Sequence, residues 1–202
     1  MLHLSTVEST TLELLKKLQQ LPVLCNTRLV GGTALALQLG HRKSVDLDFF
    51  GQINVDSQDL KEALRTLGTL TILNDSKNIH IYVLNEVKID IVNYTYPWLD
   101  DVVYKDGIRL ASPRDIAAMK ITAIEGRGTK KDFVDIYFLL KKYSLKNLLD
   151  FYSQKYPDSS SFMAMKSLAY LKMRRRSQCL ICLWMYLGTK LKSLFCLVYN
   201  SI

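Results

Sequence analysis

The sequence has little cysteine, and the few cysteines lack the spacing of a structural site. It contains four cysteines and three histidines in 202 residues. The close pair Cys179-x-x-Cys182 has neither a second pair nor a nearby histidine, so neither a zinc site nor a disulfide framework is indicated. Cys25 stands alone, and we expect a small buried hydrophobic residue there. His41 and His80 do not have the spacing of metal ligands, and we expect them to be packed or solvated.

A secretory leader and a membrane span are also lacking. Residues 1–15 carry Glu8 and Glu13 among leucines, where a signal peptide would have basic residues followed by an apolar run. Further along, Lys190 and Lys192 interrupt the apolar stretch near residue 190, which is too short to cross a bilayer. We therefore expect a cytoplasmic protein with no membrane partner.

Acidic residues are missing from the last part of the chain. All 19 acidic residues lie before residue 171, whereas residues 171–202 hold six of the 27 lysines and arginines. The formal charge of +8 therefore comes mostly from this tail and does not indicate a basic nucleic-acid-binding protein. Acidic codons read one base late encode lysine, methionine and arginine. We interpret the atypical basic and apolar tail as a frameshift product, with a native tail as the alternative.

Three short motifs in the first half of the chain carry chemistry. Gly31-Gly32-Thr33 precedes an apolar helical segment, and a glycine turn at a helix start offers N–H groups and room to a phosphate. Asp46 and Asp48 alternate with apolar residues, which places both carboxylates on one strand face with Cα atoms about 6.5 Å apart. Asp90 lies in a second alternating segment and can close the cluster from a neighbouring strand.

Three converging carboxylates repel one another unless cations neutralise them. Mg²⁺, or Mn²⁺ in its place, suits such a site because it leaves coordination positions for water and substrate phosphates. Two cations about 3.5–4 Å apart stabilise the attacking and leaving oxygens in many phosphoryl-transfer enzymes. The motifs therefore predict phosphoryl or nucleotidyl transfer, with Asp46, Asp48 and Asp90 as metal ligands. Each motif alone has a simpler explanation. The glycine pair could be an ordinary turn, the Asp-x-Asp pair two solvated carboxylates, and Asp90 a strand aspartate paired with Lys88.

The order of these motifs resembles the DNA polymerase beta-like nucleotidyltransferase superfamily. Within it, three segments are similar to the AbiEii toxin family of bacterial nucleotidyltransferases: LVGGTALALQLGHRKSVDLDFF, KIDIVNYTYPWL and LASPRDIAAMKITAIEGRGTKKDFVDIYFLL. The resemblance implies an α+β fold, with a polymerase beta-like mixed sheet, flanking helices and a C-terminal helical extension. We assign residues 1–110 to the nucleotidyltransferase core, residues 111–170 to a helical extension completing the nucleotide site, and residues 171–202 to the tail.

The resemblance also implies site residues in the helical part. Lys120 is directed toward the nucleotide phosphates, although a lysine stem on an apolar helix face often carries its amine out to water. Asp132, three residues before Asp135, contributes to the site, with a helix cap as the alternative. Both Lys120 and Asp132 are therefore candidate catalytic residues.

The glycine turn and two arginines complete the candidate site. We expect Gly31, Gly32 and Thr33 to hold the β- and γ-phosphates through backbone N–H groups and the threonine hydroxyl. By the resemblance and by its position, we expect Asp90 to complete the metal site and to help activate the acceptor hydroxyl. Arg42 and Arg127 could each meet phosphate or an RNA backbone, or be ordinary exposed arginines, and Arg42 is a candidate for nucleotide binding.

Relatives in this family act as toxins paired with an antitoxin, and some transfer nucleotides to the 3′ end of tRNA. The resemblance thus implies a nucleoside triphosphate substrate, a tRNA or other RNA acceptor, and a cognate antitoxin of a type IV toxin–antitoxin or abortive-infection system. The alternative is a decayed module that keeps the nucleotide pocket but no longer turns over.

Local patterns predict the elements. Ser5-x-x-Glu8 has the form of a capping box for the first helix, and Val45 is expected to face the core with the next alternating residues. After the Pro97-Trp98 loop only helices are expected. The predicted strands are residues 28–30, 45–50, 69–73, 79–84 and 86–93. The predicted helices include residues 34–39 and 57–67 and segments that start at Ser112, Thr129 and Ser144.

Overall fold

The computed structural model describes residues 1–169, so the tail and its frameshift interpretation lie outside the described residues. Within this range there are seven α-helices, seven β-strands and two short 3₁₀ turns at Leu4–Thr6 and Pro22–Leu24. The helices are α1 (Ser9–Gln20), α2 (Gly31–Leu39), α3 (Ser57–Arg65), α4 (Pro113–Gly126), α5 (Lys130–Lys142), α6 (Leu145–Lys155) and α7 (Ser161–Ala169). The strands are β1 (Thr27–Leu29), β2 (Leu47–Gly51), β3 (Leu70–Asp75), β4 (Ile79–Leu84), β5 (Val87–Asn93), β6 (Val103–Lys105) and β7 (Ile108–Leu110).

The strands form one mixed sheet in the order β3-β4-β5-β2-β1-β7-β6. Strand β2 runs parallel to β5, and β1 runs parallel to β7, whereas the other neighbours are antiparallel. Both parallel pairs join strands far apart in sequence, so hairpins alone cannot build this sheet. A mixed sheet with flanking helices, followed by further helices, confirms the predicted α+β class.

The alternation predicted for β2 anchors the centre of the sheet. Leu47 and Phe49 are fully buried, and so are their register partners Ile89 and Ile91 in β5. The residues between them therefore project from the opposite face of the sheet. Val45 was expected in the core as well, and this is wrong: it is 50% exposed because β2 begins only at Leu47.

Two hairpins shape the edges of the sheet. The tight turn predicted at Asn85 is confirmed, and Asn85 has a φ of 48°, as hairpin turns that match strand twist require. A second hairpin joins β6 and β7 through Asp106 and Gly107, whose φ angles are 52° and 76°. The expectation that only helices follow the Pro97-Trp98 loop is therefore wrong. The Asp-Gly dipeptide signals this turn, but its three-residue strands are too short to show alternation.

The predicted capping box at the N-terminus is wrong. Ser5 lies inside the 3₁₀ turn Leu4–Thr6, where the Thr6 hydroxyl donates to the carbonyl of His3 at 2.7 Å. Glu8 is the residue before α1 and makes no side-chain hydrogen bond to the helix start. Because Ser5 belongs to the 3₁₀ turn, it cannot cap α1.

Cys25 is exposed, so its expected burial is also wrong. It directly follows the 3₁₀ turn Pro22–Leu24, and only the last residue of that turn, Leu24, faces the core. A lone cysteine gives no sequence pattern from which the side-chain direction could be read.

The chain forms two compact units, one of residues Met1–Ile116 and one that starts at Ala117. The first unit contains the whole sheet together with α1, α2 and α3. The second contains most of α4 and the helices that follow it. Among the described helices, none combines the length and the apolar character that crossing a bilayer demands.

Polar side chains start the later helices where the sequence predicts. The Ser112 hydroxyl accepts a hydrogen bond from the Asp115 N–H at 3.0 Å at the start of α4. A capping box at Thr129 opens α5, and the Ser144 hydroxyl accepts from the Asn147 N–H at 3.1 Å in α6. Each hydroxyl satisfies an N–H group that the helix itself leaves unpaired. The three predicted helix starts are confirmed.

Substitution of Gly51 tests the close packing at the end of β2, and Gly126 at the end of α4 provides the control. A Cβ on Gly51 would lie 2.2 Å from the Asn26 carbonyl oxygen, whereas a Cβ on Gly126 would meet nothing within 4 Å. We expect Gly51→Ala to lower the free energy of unfolding by about 1–3 kcal/mol, since backbone must move. Gly126→Ala should be neutral or raise it by up to about 1 kcal/mol. Urea unfolding measures both, and equal effects would contradict the packing.

Candidate active site

The turn at Gly31 packs directly against the carboxylate of Asp48. Gly31 has a φ of +67°, and a Cβ on it would lie 2.0 Å from Asp48 Oδ2. The neighbouring backbone is tied to the same residue, because the Val30 N–H donates to the Asp48 carbonyl at 2.8 Å. Glycine at this position therefore lets the start of α2 approach the carboxylate, which a side chain would prevent.

Arg42 lies against the second glycine of the turn. A Cβ on Gly32 would lie 2.0 Å from Arg42 Nη2, and Arg42 Nη1 donates to the Lys43 carbonyl at 3.0 Å. Helix N-termini and guanidinium groups both attract anions. The structure thus brings Arg42 to the turn for which the sequence predicts phosphate binding.

Thr33 connects the turn to the segment before β2. Its side chain is buried, and its hydroxyl lies 2.8 Å from the Ser44 hydroxyl and hydrogen-bonds the main-chain carbonyl of Asp46. These contacts hold the backbone that carries the first aspartate of the Asp-x-Asp motif. A further role for this hydroxyl in phosphate binding stays a prediction.

Asp48 and Asp90 lie side by side on adjacent strands. They are register partners in the parallel pair of β2 and β5, and neighbouring strands are about 4.8 Å apart. Asp46 lies two residues before Asp48, in the segment that directly precedes β2. Within residues 1–169, however, no three His, Cys, Asp or Glu side chains gather closely enough to hold a metal ion. The structure therefore brings two of the three predicted ligands together.

Asp90 contacts a lysine two residues away on the same strand. Lys88 Nζ lies 2.7 Å from Asp90 Oδ1 and donates a hydrogen bond to Oδ2 at 2.8 Å. Although Oδ1 is buried, no donor is aligned to hydrogen-bond it within the described residues. The pairing that the sequence left open as an alternative is therefore present. Because the Lys88 side chain is 42% exposed, solvent weakens this ion pair. A divalent cation could therefore displace the ammonium.

The second unit contains a buried charge cluster of Lys120, Asp132 and Asp135, which the exposed Arg127 contacts. Lys120 is only 5% exposed, and its Nζ lies 3.0 Å from Asp132 Oδ1 and 2.7 Å from Asp135 Oδ2. The alternative in which this amine reaches water is therefore wrong. The lysine instead links α4 to α5 through two carboxylates. Its implied role toward phosphate stays a prediction.

Asp132 is the most heavily bonded member of that cluster. Arg127 donates to both of its oxygens, with Nε and Nη2 each at 3.1 Å, and the Thr129 N–H and hydroxyl donate at 3.2 and 2.6 Å. Burial favours a higher pKa for the Asp132 carboxyl, but Arg127, the charge of Lys120 and Thr129 hold that pKa well below its usual range. The helix-cap alternative is present, since this carboxylate completes the capping box of α5. A depressed pKa contributes stability above about pH 4 that is lost as the pH falls.

A second polar cluster surrounds Asp75 and was missed by sequence reasoning. His80 is packed, as expected, with Nδ1 2.6 Å from Asp75 Oδ1. Hydrogen bonds from Ser57 and His80, assisted by Lys61 and Tyr82, hold the pKa of the Asp75 carboxyl well below its usual range. These partners come from α3 and β4, so no local spacing in the sequence could have signalled the cluster.

Comparison with known proteins agrees with this architecture. A protein from Aquifex aeolicus (strain VF5), itself uncharacterized, is 36% identical, and the match covers 79% of this chain and 81% of that protein. A crystal structure of an H. pylori protein assigned as a nucleotidyltransferase is 21% identical with a TM-score of 0.53, covering 94% of this chain and 98% of that one. ANT(2″)-Ia, in complex with adenylyl-2″-tobramycin, is 12% identical with a TM-score of 0.57, covering 76% and 100%.

This chain shares the fold of these two structures. The profile of the nucleotidyl transferase AbiEii toxin family, type IV toxin–antitoxin system, matches residues 13–159. The chain therefore belongs to the AbiEii nucleotidyltransferase toxin family.

The buried charge cluster predicts a large effect on stability. Lys120→Ala leaves Asp132 and Asp135 buried without their shared ammonium, and we expect the free energy of unfolding to fall by about 3–5 kcal/mol. Lys131→Ala, at an exposed position of α5, is the matched control and should change it by less than about 0.5 kcal/mol. Urea unfolding of the three proteins measures this. If Lys120→Ala lowered the free energy of unfolding no more than Lys131→Ala does, the cluster would not stabilise the fold.

Proposed function

We propose that this chain transfers a nucleotide from a nucleoside triphosphate to an RNA acceptor, such as the 3′ end of tRNA, in a Mg²⁺-dependent reaction. The observation that supports it most is the register pairing of Asp48 with Asp90, beside a glycine turn that fits against the Asp48 carboxylate. Paired carboxylates and a glycine turn at a helix start are the parts that phosphoryl transfer needs. Family membership supports the toxin role and an antitoxin as partner.

The residues present fit a divalent cation. Asp48 and Asp90 offer adjacent hard oxygen ligands, which Mg²⁺ and Mn²⁺ prefer, and Asp90 Oδ1 is a buried oxygen that already lies 2.7 Å from a cation, the Lys88 ammonium. Asp46, which directly precedes β2, is the third proposed ligand. When bound, a cation would neutralise charge on the transferred phosphate and on the attacking and leaving oxygens.

The glycine turn would hold the leaving part of the triphosphate. The N–H groups of Gly31 and Gly32 at the start of α2 can donate to β- and γ-phosphate oxygens. Arg42, which lies against Gly32, adds a positive charge where pyrophosphate carries its negative charge. Binding the pyrophosphate portion in this way fixes the direction in which the bond to the α-phosphorus breaks.

Asp90 would act on the acceptor. The acceptor hydroxyl oxygen forms a new bond to the α-phosphorus, the bond from that phosphorus to the β-bridging oxygen breaks, and pyrophosphate leaves with the bond electrons. The hydroxyl proton passes to the Asp90 carboxylate, which the register of β5 with β2 places beside Asp48. Lys120 and Asp132 enter the proposal through the family resemblance, as residues that act toward the nucleotide.

The proposed substrates also suggest where the protein works. Nucleoside triphosphates and tRNA are both found in the cytoplasm, so we place the reaction there. An antitoxin would have to prevent nucleotide transfer, by blocking the site or by reversing its effect. Incubation with each nucleoside triphosphate and total RNA identifies the base preference and the acceptor.

The central test is Asp48→Ala. The variant removes one carboxylate of the pair and should lower nucleotide transfer roughly 10²–10³-fold or more, with an unchanged fold. Purified protein is incubated with each labelled nucleoside triphosphate, Mg²⁺ and total RNA, and transferred label is measured. Asp158→Ala, at an exposed loop position, is the control and should transfer at the wild-type rate.

Two results would contradict the proposal. Transfer by Asp48→Ala at the wild-type rate would remove the assigned role of the carboxylate pair. Nucleotide binding by the wild-type protein without transfer to any RNA would instead favour the alternative of a decayed nucleotide-binding module.

A further inference from the structure

A cavity of about 600 Å³ opens at the end of the sheet where β1 begins and β2 and β5 end. Its walls include Arg28 of β1, Gln52 just after β2, and the aromatic loop that follows β5. Gly31 lies at the other end of β1, so the cavity is separate from the phosphate turn. A volume of this size is typical of sites that bind small molecules or single groups of larger ones.

Aromatic rings form one side of this cavity. Tyr94 lies at the centre, with ring centroids 5.3 Å from Phe50, 5.5 Å from Tyr96 and 5.3 Å from Trp98. Such offset contacts stabilise the rings against one another and fix their positions. Tyr96 is 51% exposed although it belongs to this packed group. Its ring therefore offers a rigid and accessible stacking surface.

A planar cation lies beside the rings. The guanidinium carbon of Arg28 lies 4.3 Å from the ring centroid of Trp98. Its Nη1 donates to the Asp100 carbonyl at 2.8 Å, which holds the group in place. Arginine planes and aromatic rings are the surfaces on which proteins stack unpaired bases. Asn26 and Gln52, both exposed at the cavity, supply amide donors and acceptors of the kind that read base edges.

The cavity continues the sheet face that carries the carboxylate pair. Arg28 is the register partner of Phe50, and Phe50 is the register partner of Val92. Phe50 lies two residues after Asp48 on β2, so both side chains project from the same face, about 7 Å apart along the strand. An extended ligand that reaches Asp48 can therefore pass over Phe50 and enter the cavity without leaving this face.

From these observations we infer that the cavity binds an unpaired nucleobase of the acceptor RNA, a short distance from the reacting 3′ end. The base stacks on Tyr96 and on the Arg28–Trp98 pair, while the amides of Asn26 and Gln52 contact its edge. The inference rests on the proposed function in one respect, namely that the acceptor is RNA. It assigns the stacking surface to acceptor binding and not to the chemical step.

The test is binding of a short single-stranded RNA of mixed sequence, labelled with fluorescein and followed by anisotropy. Tyr96→Ala should weaken binding about 5- to 150-fold, the range for loss of one base–aromatic stack. Tyr104→Ala removes a tyrosine that is 67% exposed on β6, outside the cavity, and should bind like the wild type. Arg28→Lys keeps the positive charge but removes the planar guanidinium group on which a base can stack, so it should also weaken binding.

Cys25 gives an independent readout, because it is exposed and lines the cavity. Single-stranded RNA should slow alkylation of Cys25, measured by peptide mass spectrometry, whereas the same RNA as a duplex should not. Equal RNA affinity of wild type and Tyr96→Ala, or undiminished alkylation, would overturn the inference. AMP that binds as tightly as the RNA and protects Cys25 equally would also overturn it, by assigning the cavity to a free nucleotide.

Failure of this inference is distinguishable from failure of the proposed function. The Asp48→Ala protein should lose transfer yet still bind RNA in a manner that depends on Tyr96. RNA binding that persists while wild-type protein transfers no nucleotide would reject the proposed reaction and retain the cavity. Transfer to RNA that proceeds with unchanged KM in Tyr96→Ala would reject the cavity and retain the reaction.

Discussion

Four apolar side chains fix the register that places Asp48 beside Asp90. Leu47 and Phe49 of β2, with Ile89 and Ile91 of β5, are fully buried on one face of the sheet. A slip of one residue would turn this set toward the other face, and each buried side chain contributes about 1.5–3 kcal/mol. The two carboxylates repel each other but cannot move apart without losing that burial. The apolar face therefore holds the candidate site together.

The glycine turn depends on the same register. Gly31 has room against the Asp48 carboxylate only because β2 lies where its buried face holds it, and the Val30 N–H pairs with the Asp48 carbonyl. Thr33 then hydrogen-bonds the carbonyl of Asp46 from within α2. Backbone and side-chain contacts thus tie the predicted phosphate turn to the predicted metal ligands. A nucleoside triphosphate that contacts both the turn and the metal ligands therefore binds a preorganised site.

Local patterns in the sequence predicted much of this arrangement. The alternation around Asp48 and Asp90 predicted two strands with their apolar sides inward, and hydroxyl residues predicted the starts of α4, α5 and α6. The parallel pairing of β2 with β5 was not readable, because register across distant strands depends on how the whole sheet closes. Sequence spacing placed Lys120 on an apolar helix face but could not show the carboxylates of α5 that neutralise it. The β6–β7 hairpin was not predicted, because its three-residue strands are too short to show an alternation of apolar and polar residues.

The same limit applies to the cavity at the end of the sheet where β2 and β5 end. Arg28, Phe50 and Trp98 lie in three separate segments, and only the register of the sheet brings them together. No motif marks a group whose members are shared between β1, β2 and a loop. Tertiary structure was needed to find it.

The most direct measurement of the central claim is a crystal structure grown with Mn²⁺ and a non-hydrolysable nucleoside triphosphate, with anomalous diffraction recorded to locate manganese. The account predicts Mn²⁺ coordinated by carboxylate oxygens of Asp48 and Asp90. It also predicts that Lys88 has left Asp90 and that phosphate oxygens lie on the N–H groups of Gly31 and Gly32. Manganese bound elsewhere, with Lys88 still paired to Asp90, would contradict it.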